Sequence, residues 1–111
     1  MKLAIIGSRD VSVDISKYIA EEPDEIVSGG ARGIDTCAAE YASKKGIKLI
    51  EFLPEYSRYG RGAPLKRNEK IAEYADEAIA LWDGRSKGTK YAIELFKRLG
   101  KRVEIVIINN D

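Results

Sequence analysis

Glu25-Ile26-Val27-Ser28-Gly29-Gly30-Ala31-Arg32-Gly33-Ile34-Asp35 carries the chain from one kind of secondary structure into another. Glu25 to Ser28 is a short run with β-branched residues at its centre and glycine at its end, the signature of a strand. From Ile34 onward Ile34, Cys37, Ala38, Tyr41 and Ala42 fall on one helical face, and Gly46 stops the pattern. A strand that runs through three glycines in five residues directly into a helix is a βα unit.

The same alternation extends outward in both directions. Further strands are expected at Lys2 to Ile6, Ile47 to Leu53, Glu77 to Trp82 and Arg102 to Ile108. A first helix puts Val11, Ile15, Tyr18 and Ile19 on one face, and a third begins near Pro64 and runs to about Ala75. A fourth carries Ala92, Leu95, Phe96 and Leu99 before Gly100. The chain therefore reads as an α/β fold with a five-stranded, mainly parallel sheet and helices on both faces. Leu3 to Ile6 and Ala78 to Trp82 are free of charge, as strands buried on both faces should be, whereas Lys48, Glu51 and Glu104 mark the third and fifth strands as edges. Both facts are met by the order 3-2-1-4-5. With right-handed crossovers, that order reverses direction between the first and fourth strands, and a ligand crevice is expected there, above Gly7 and Asp83.

Length and composition narrow the functions available. At 111 residues, the chain (1–111) is expected to be a single domain, long enough to bury roughly two-thirds of its unfolded surface. A net charge of +1 argues against a protein that coats nucleic acid or an anionic membrane. The sequence has no His and a single Cys37, so His-based triads, zinc chemistry and an internal disulfide drop out, and no metal is expected. Leu3 to Ile6 is too short for a signal peptide or a membrane span, which points to a cytoplasmic protein.

The four segments at the carboxyl ends of strands, Gly7 to Asp10, Gly29 to Asp35, Pro54 to Glu69 and Asp83 to Thr89, gather glycine and positive charge. They hold eight basic against five acidic residues, on a protein that is close to neutral. A basic rim of this kind suits a small anionic ligand. In the segment Ser28 to Asp35, Gly29, Gly30, Ala31, Arg32 and Gly33 would let backbone amides approach a phosphate at a helix N-terminus. The plainer role is a tight turn with Asp35 and Thr36 offsetting the helix dipole. After the fourth strand, Asp83-Gly84-Arg85-Ser86-Lys87-Gly88-Thr89 is a second candidate anion turn, with ordinary N-capping by Ser86 as its plain role. Neither turn fits the dinucleotide fingerprint G-x-G-x-x-G or the P-loop G-x-x-x-x-G-K-[ST], which disfavours a standard NAD site and an NTPase. Arg67 and Asn68 face the same loops if Leu65, Ile71 and Ala75 face the sheet. Trp82 reads as a core residue at a strand end. Tyr56, Arg58, Tyr59 and Arg61 make either a lid on a nucleobase, a short single-strand groove or a plain surface loop.

Gly7-Ser8-Arg9, the octapeptide from Ser28 to Asp35, Arg67-Asn68-x-x-Ile71 with Ala75-Asp76, Ser86-x-Gly88-Thr89 and Gly100-Lys101-x-Val103 together resemble the SMF/DprA-LOG (SLOG) superfamily. The likeness is greatest to small stand-alone SLOG proteins related to YspA and YpsA. It implies a Rossmann-like domain whose second-strand and fourth-strand loops hold a nucleotide phosphate and ribose. The ligand-binding residues would then be Gly7, Ser8, Arg9, Gly29, Gly30, Ala31, Arg32, Gly33, Asp35, Arg67, Asn68, Asp83, Ser86, Gly88 and Thr89. In the Lonely Guy phosphoribohydrolase branch of the superfamily, P-G-G-x-G-T-x-x-E supplies a carboxylate three residues after the Thr. This chain has Ala92 there, and Glu94 is about 200° further round the helix. In the DprA branch the domain binds single-stranded DNA and a recombinase partner, usually with extra domains that 111 residues cannot hold.

The leading expectation is a binder or sensor of a nucleotide-derived small molecule, of nucleotide, NAD or ADP-ribose type. The first alternative is a nucleotide-processing hydrolase, which without His must use Asp35, Asp83 or Glu94 as acid or base. The second is a DprA-like single-stranded DNA module. No membrane partner is expected, nucleic acid is disfavoured by the charge balance, and the exposed edge strands leave room for a homodimer.

Overall fold

The computed structural model describes residues 1–8, 11–30 and 33–108. Five strands, β1 (Lys2–Gly7), β2 (Glu25–Ser28), β3 (Lys48–Glu51), β4 (Glu77–Trp82) and β5 (Val103–Ile107), alternate with α1 (Ile34–Lys45), α2 (Tyr56–Tyr59), α3 (Ala63–Tyr74) and α4 (Lys87–Arg98). The sheet is parallel throughout, in the order β3-β2-β1-β4-β5, so the Rossmann-like arrangement expected from strand composition is the one found.

Period-2 alternation sorts the strand side chains onto two unlike faces. Leu3, Ile5, Ile26, Ile79 and Leu81 point towards α1, which contributes Ile34, Ala38, Tyr41 and Ala42. On the opposite face the strands offer Ala4, Ile6, Val27, Ala78 and Ala80, packed against Ile71 of α3 and Phe96 of α4. Both layers mix large and small side chains from strand and helix into one dense core. Lys101 adds a polar clamp: its ammonium donates to the carbonyls of Ala72, Glu73 and Ala75, which the end of α3 leaves without helical partners.

The segment expected to form the first helix is instead a single 3-10 turn, Ile15–Tyr18. Asp14 accepts from the Ser16 backbone at 3.1 Å and its hydroxyl at 2.6 Å, fixing the helical start late, and Pro23 closes the segment soon after. Val11 and Ile15 are buried all the same, so their apolar spacing reported the core rather than a helix. Two further differences are local. The aromatic and basic loop contains α2 and a 3-10 turn at Gly60–Gly62, and α3 starts one residue before Pro64. Leu65 does not face the sheet with Ile71 and Ala75; it is 45% exposed.

Candidate ligand-binding site

The carboxyl ends of β1, β2 and β4 and the amino ends of α3 and α4 surround a cavity of about 470 Å³, within the range usual for small-molecule sites. Of the residues singled out above, Gly7, Ser8, Gly29, Asp35, Arg67, Asn68, Asp83, Ser86, Gly88 and Thr89 line it. Gly30 and Gly33 belong to the β2–α1 turn but not to the wall, and Arg9, Ala31 and Arg32 lie outside the described residues. Ile6, Pro64, Leu65 and Ile71 complete the wall with apolar surface. Their sequence signal was helical and strand periodicity, which marks core and cavity floor alike.

The turn after β2 is held mainly through its backbone. Buried Ser28 accepts from the Gly30 amide at 3.3 Å, and Arg67 donates to the Gly29 carbonyl at 2.8 Å and to Asn68 Oδ1 at 2.8 Å. A Cβ on Gly29 would overlap the Arg67 guanidinium, so a side chain there would displace Arg67 from its bond to the Gly29 carbonyl. Gly33 caps α1 at φ 75° and ψ −123°, a conformation essentially reserved for glycine, and supplies no side-chain cap. Asp35 sets its carboxylate in the first turn of α1, at the positive end of the helix dipole.

The turn after β4 is filled by its own side chains. Asp83 Oδ1 accepts from the Arg85 and Ser86 amides at 2.8 Å each, and these bonds hold the Asp83 carboxyl below the usual carboxylate range. Ser86 Oγ accepts from the Thr89 amide at 3.4 Å and the Thr89 hydroxyl at 3.2 Å, the capping role considered from sequence. The Trp82 indole donates to the Ser86 carbonyl at 3.0 Å and its ring packs half-buried on the α3–α4 core, so Trp82 is a core residue that also braces the turn. Ser8 joins the two strand ends by accepting from the Asp83 amide at 3.3 Å. Gly7 is fixed by packing: a Cβ there would lie 2.5 Å from the Leu81 carbonyl and from Ile34 Cγ1.

A match of a protein-family model to residues 1–59 takes in β1, the glycine turn after β2, α1, β3 and α2, just over half of the chain. That model describes the YspA, cpYpsA-related SLOG family. The chain belongs to this family. No curated protein and no solved structure matches it significantly.

Beyond the matched half, this SLOG protein builds the remaining wall from α3, β4 and α4. Ala92, 3% exposed, occupies the wall position where the Lonely Guy motif would place its carboxylate, and Glu94 lies exposed on another face of α4. Among the described residues, the charged members of the wall are Arg67 and Arg85 against Asp35 and Asp83. Lys66 pairs with Glu69 at 3.5 Å, while Arg58 lies 3.9 Å from Glu55 and over the Tyr59 ring. Tyr56, Arg58, Tyr59 and Arg61 form no part of the wall. Among the described residues there is no cluster placed to hold a metal ion, and no helix long and apolar enough to cross a membrane.

Proposed function

We propose that this SLOG protein binds a nucleotide-derived small molecule in the cavity between the β2–α1 and β4–α4 turns. The observation that carries the reading is the opening of the α4 N-terminus onto the cavity at Gly88, where a Cβ would meet nothing within 4 Å. The first two amides of a helix have no acceptor within it, and they lie at its positive end, so a phosphate is favoured there. Ser86 spends its acceptor capacity on Thr89, which leaves its own O–H to donate. Arg85 on the wall adds a cation. A carboxylate accepts hydroxyl protons and repels phosphate, so the ribose belongs beside Asp83 and Asp35, with the phosphate nearer α4.

The other two readings have less support. A phosphoribohydrolase of the Lonely Guy type would need a carboxylate where Ala92 stands. Asp83 is held ionised by two backbone amides and has no proton to give a leaving group near neutral pH. A DprA-like strand-binding surface would rest on Tyr56, Arg58, Tyr59 and Arg61, which lie apart from the cavity.

Isothermal calorimetry against AMP, NAD and ADP-ribose tests the proposal together with Gly88→Asp. Asp at this position complements the helix dipole, so the variant should fold with unchanged or raised stability while its carboxylate takes the place of the phosphate. The expected result is saturable binding of at least one nucleotide and a loss of about tenfold or more, ~1.4 kcal/mol, in Gly88→Asp. Silence across the panel, or equal binding by Gly88→Asp, would overturn it.

A further inference from the structure

The two edges of the sheet are built differently. β3 exposes Lys48 and Glu51, charges that discourage another strand from pairing there. β5 exposes Ile105 at 39% and Ile107 at 54%, two of the seven exposed large apolar side chains among the described residues. Val103 packs against the α3–α4 core and Val106 against the α1 core, so by alternation Ile105 and Ile107 stand on the α4 side with Val103. On the backbone, the Arg102 carbonyl accepts from Ala78 and the Ile108 amide donates to Trp82. Alternate residues of a parallel strand turn both backbone groups to the same side, so Arg102, Glu104, Val106 and Ile108 face β4, while Val103, Ile105 and Ile107 turn theirs outward.

We propose that β5 pairs with β5 of a second copy, antiparallel, about a two-fold axis at Ile105. In that register Ile105 faces the partner's Ile105 and Val103 faces the partner's Ile107, so every outward backbone group of the strand is used, in about six hydrogen bonds. The exposed isoleucines become part of a shared apolar strip, and Glu104 lies opposite the partner's Val106. Moving the axis to Glu104 would set Glu104 against the partner's Glu104 in a directly opposed pair, which is destabilising. Moving it to Val103 would run Ile107 past the end of the paired strand. The interface is isologous and joins two five-stranded sheets into one, with the two cavities at opposite ends of the assembly. It does not depend on what the cavity binds.

Sedimentation of the native chain and of Ile105→Lys tests the surface. The native chain should sediment at twice its 12.3 kDa, and Ile105→Lys, which sets two like charges on the axis, should sediment as a monomer with an unchanged circular dichroism spectrum. The register is read by oxidative cross-linking in a Cys37→Ser background. Ile105→Cys should link to its copy, because directly opposed Cα atoms lie about 5.5 Å apart. Glu104→Cys should not, its copy being roughly 8 Å away on the diagonal. A native chain that remains monomeric at the concentrations used for spectroscopy, or a dimer indifferent to Ile105→Lys, overturns the surface. Cross-linking through Glu104→Cys in preference to Ile105→Cys overturns the register.

Discussion

The β2–α1 and β4–α4 turns are both glycine-containing strand-to-helix connections on the rim of one cavity, yet they satisfy their backbones by opposite means. After β2 the helix begins at Gly33 with no side-chain cap, and a remote residue, Arg67, holds the turn by its Gly29 carbonyl. After β4 the turn is self-contained: Asp83 takes two amides and Ser86 caps α4. Similar glycine content therefore hides different donor inventories. The first turn is shaped by tertiary closure and the second by its own side chains, which leaves the second pre-formed before any ligand arrives and makes the first depend on α3.

That contrast can be broken from either side. The largest effect is expected from Arg67→Met, which removes a charged donor from the Gly29 carbonyl and costs about 1.5–3 kcal/mol of stability, read as a drop of several degrees in Tm. A variant as stable as the native chain would mean that the β2–α1 turn holds itself. Gly33→Ala forces a side chain into a left-handed conformation and should cost about 1–3 kcal/mol; urea unfolding that shows no loss would mean that the turn relaxes freely. In the other turn Ser86→Ala removes only a cap, for about 1 kcal/mol, and thermal melting should place it below both preceding variants. If it exceeds them, the two turns have been ranked the wrong way round.

The smallest effect concerns pH. Because Asp83 has a folded-state pKa below its ordinary value, its charge contributes stability that is full above the unfolded value of about 3.9 and fades as pH falls through the lower folded value. Asp83→Asn keeps an acceptor for the Arg85 and Ser86 amides but abolishes this titration, so urea unfolding should show a shallower loss of stability below about pH 4. Asp14, lowered by its bonds to Ser16, and Asp24, lowered by the N-terminal ammonium, contribute to the slope that remains. An acid limb identical to that of the native chain would show that the Asp83 bonds do not depend on its charge.

The strand order was legible because burial on both faces excludes charge, and Leu3 to Ile6 and Ala78 to Trp82 obey that rule while Lys48, Glu51 and Glu104 break it where an edge allows. The 3-10 turn was not legible. Val11 and Ile15 have helical spacing for the sake of the core, and the competing bond from Asp14 is a local event that periodicity does not register. At the cavity the glycines and the serine cap could be found from sequence because they sit at a strand-to-helix junction. The division of labour between the turns could not, since the Arg67 bond to Gly29 spans 38 positions and the Asp83 bonds look, in one dimension, like any Asp-Gly turn. The same holds for the basic rim: Lys66 and Arg58 count towards its charge but are spent on Glu69 and Glu55 outside the wall.

Amide-resolved NMR of the nitrogen-15-labelled protein, with AMP, NAD and ADP-ribose added in turn, addresses the cavity most directly. At least one of the three should shift the amides of Gly29, Asp35, Gly88 and Thr89, which border the cavity, and leave Glu77 and Arg102 at the other end of the sheet unchanged. Shifts confined to Glu77, Arg102 and their neighbours, or an unaltered spectrum with all three nucleotides, would contradict it.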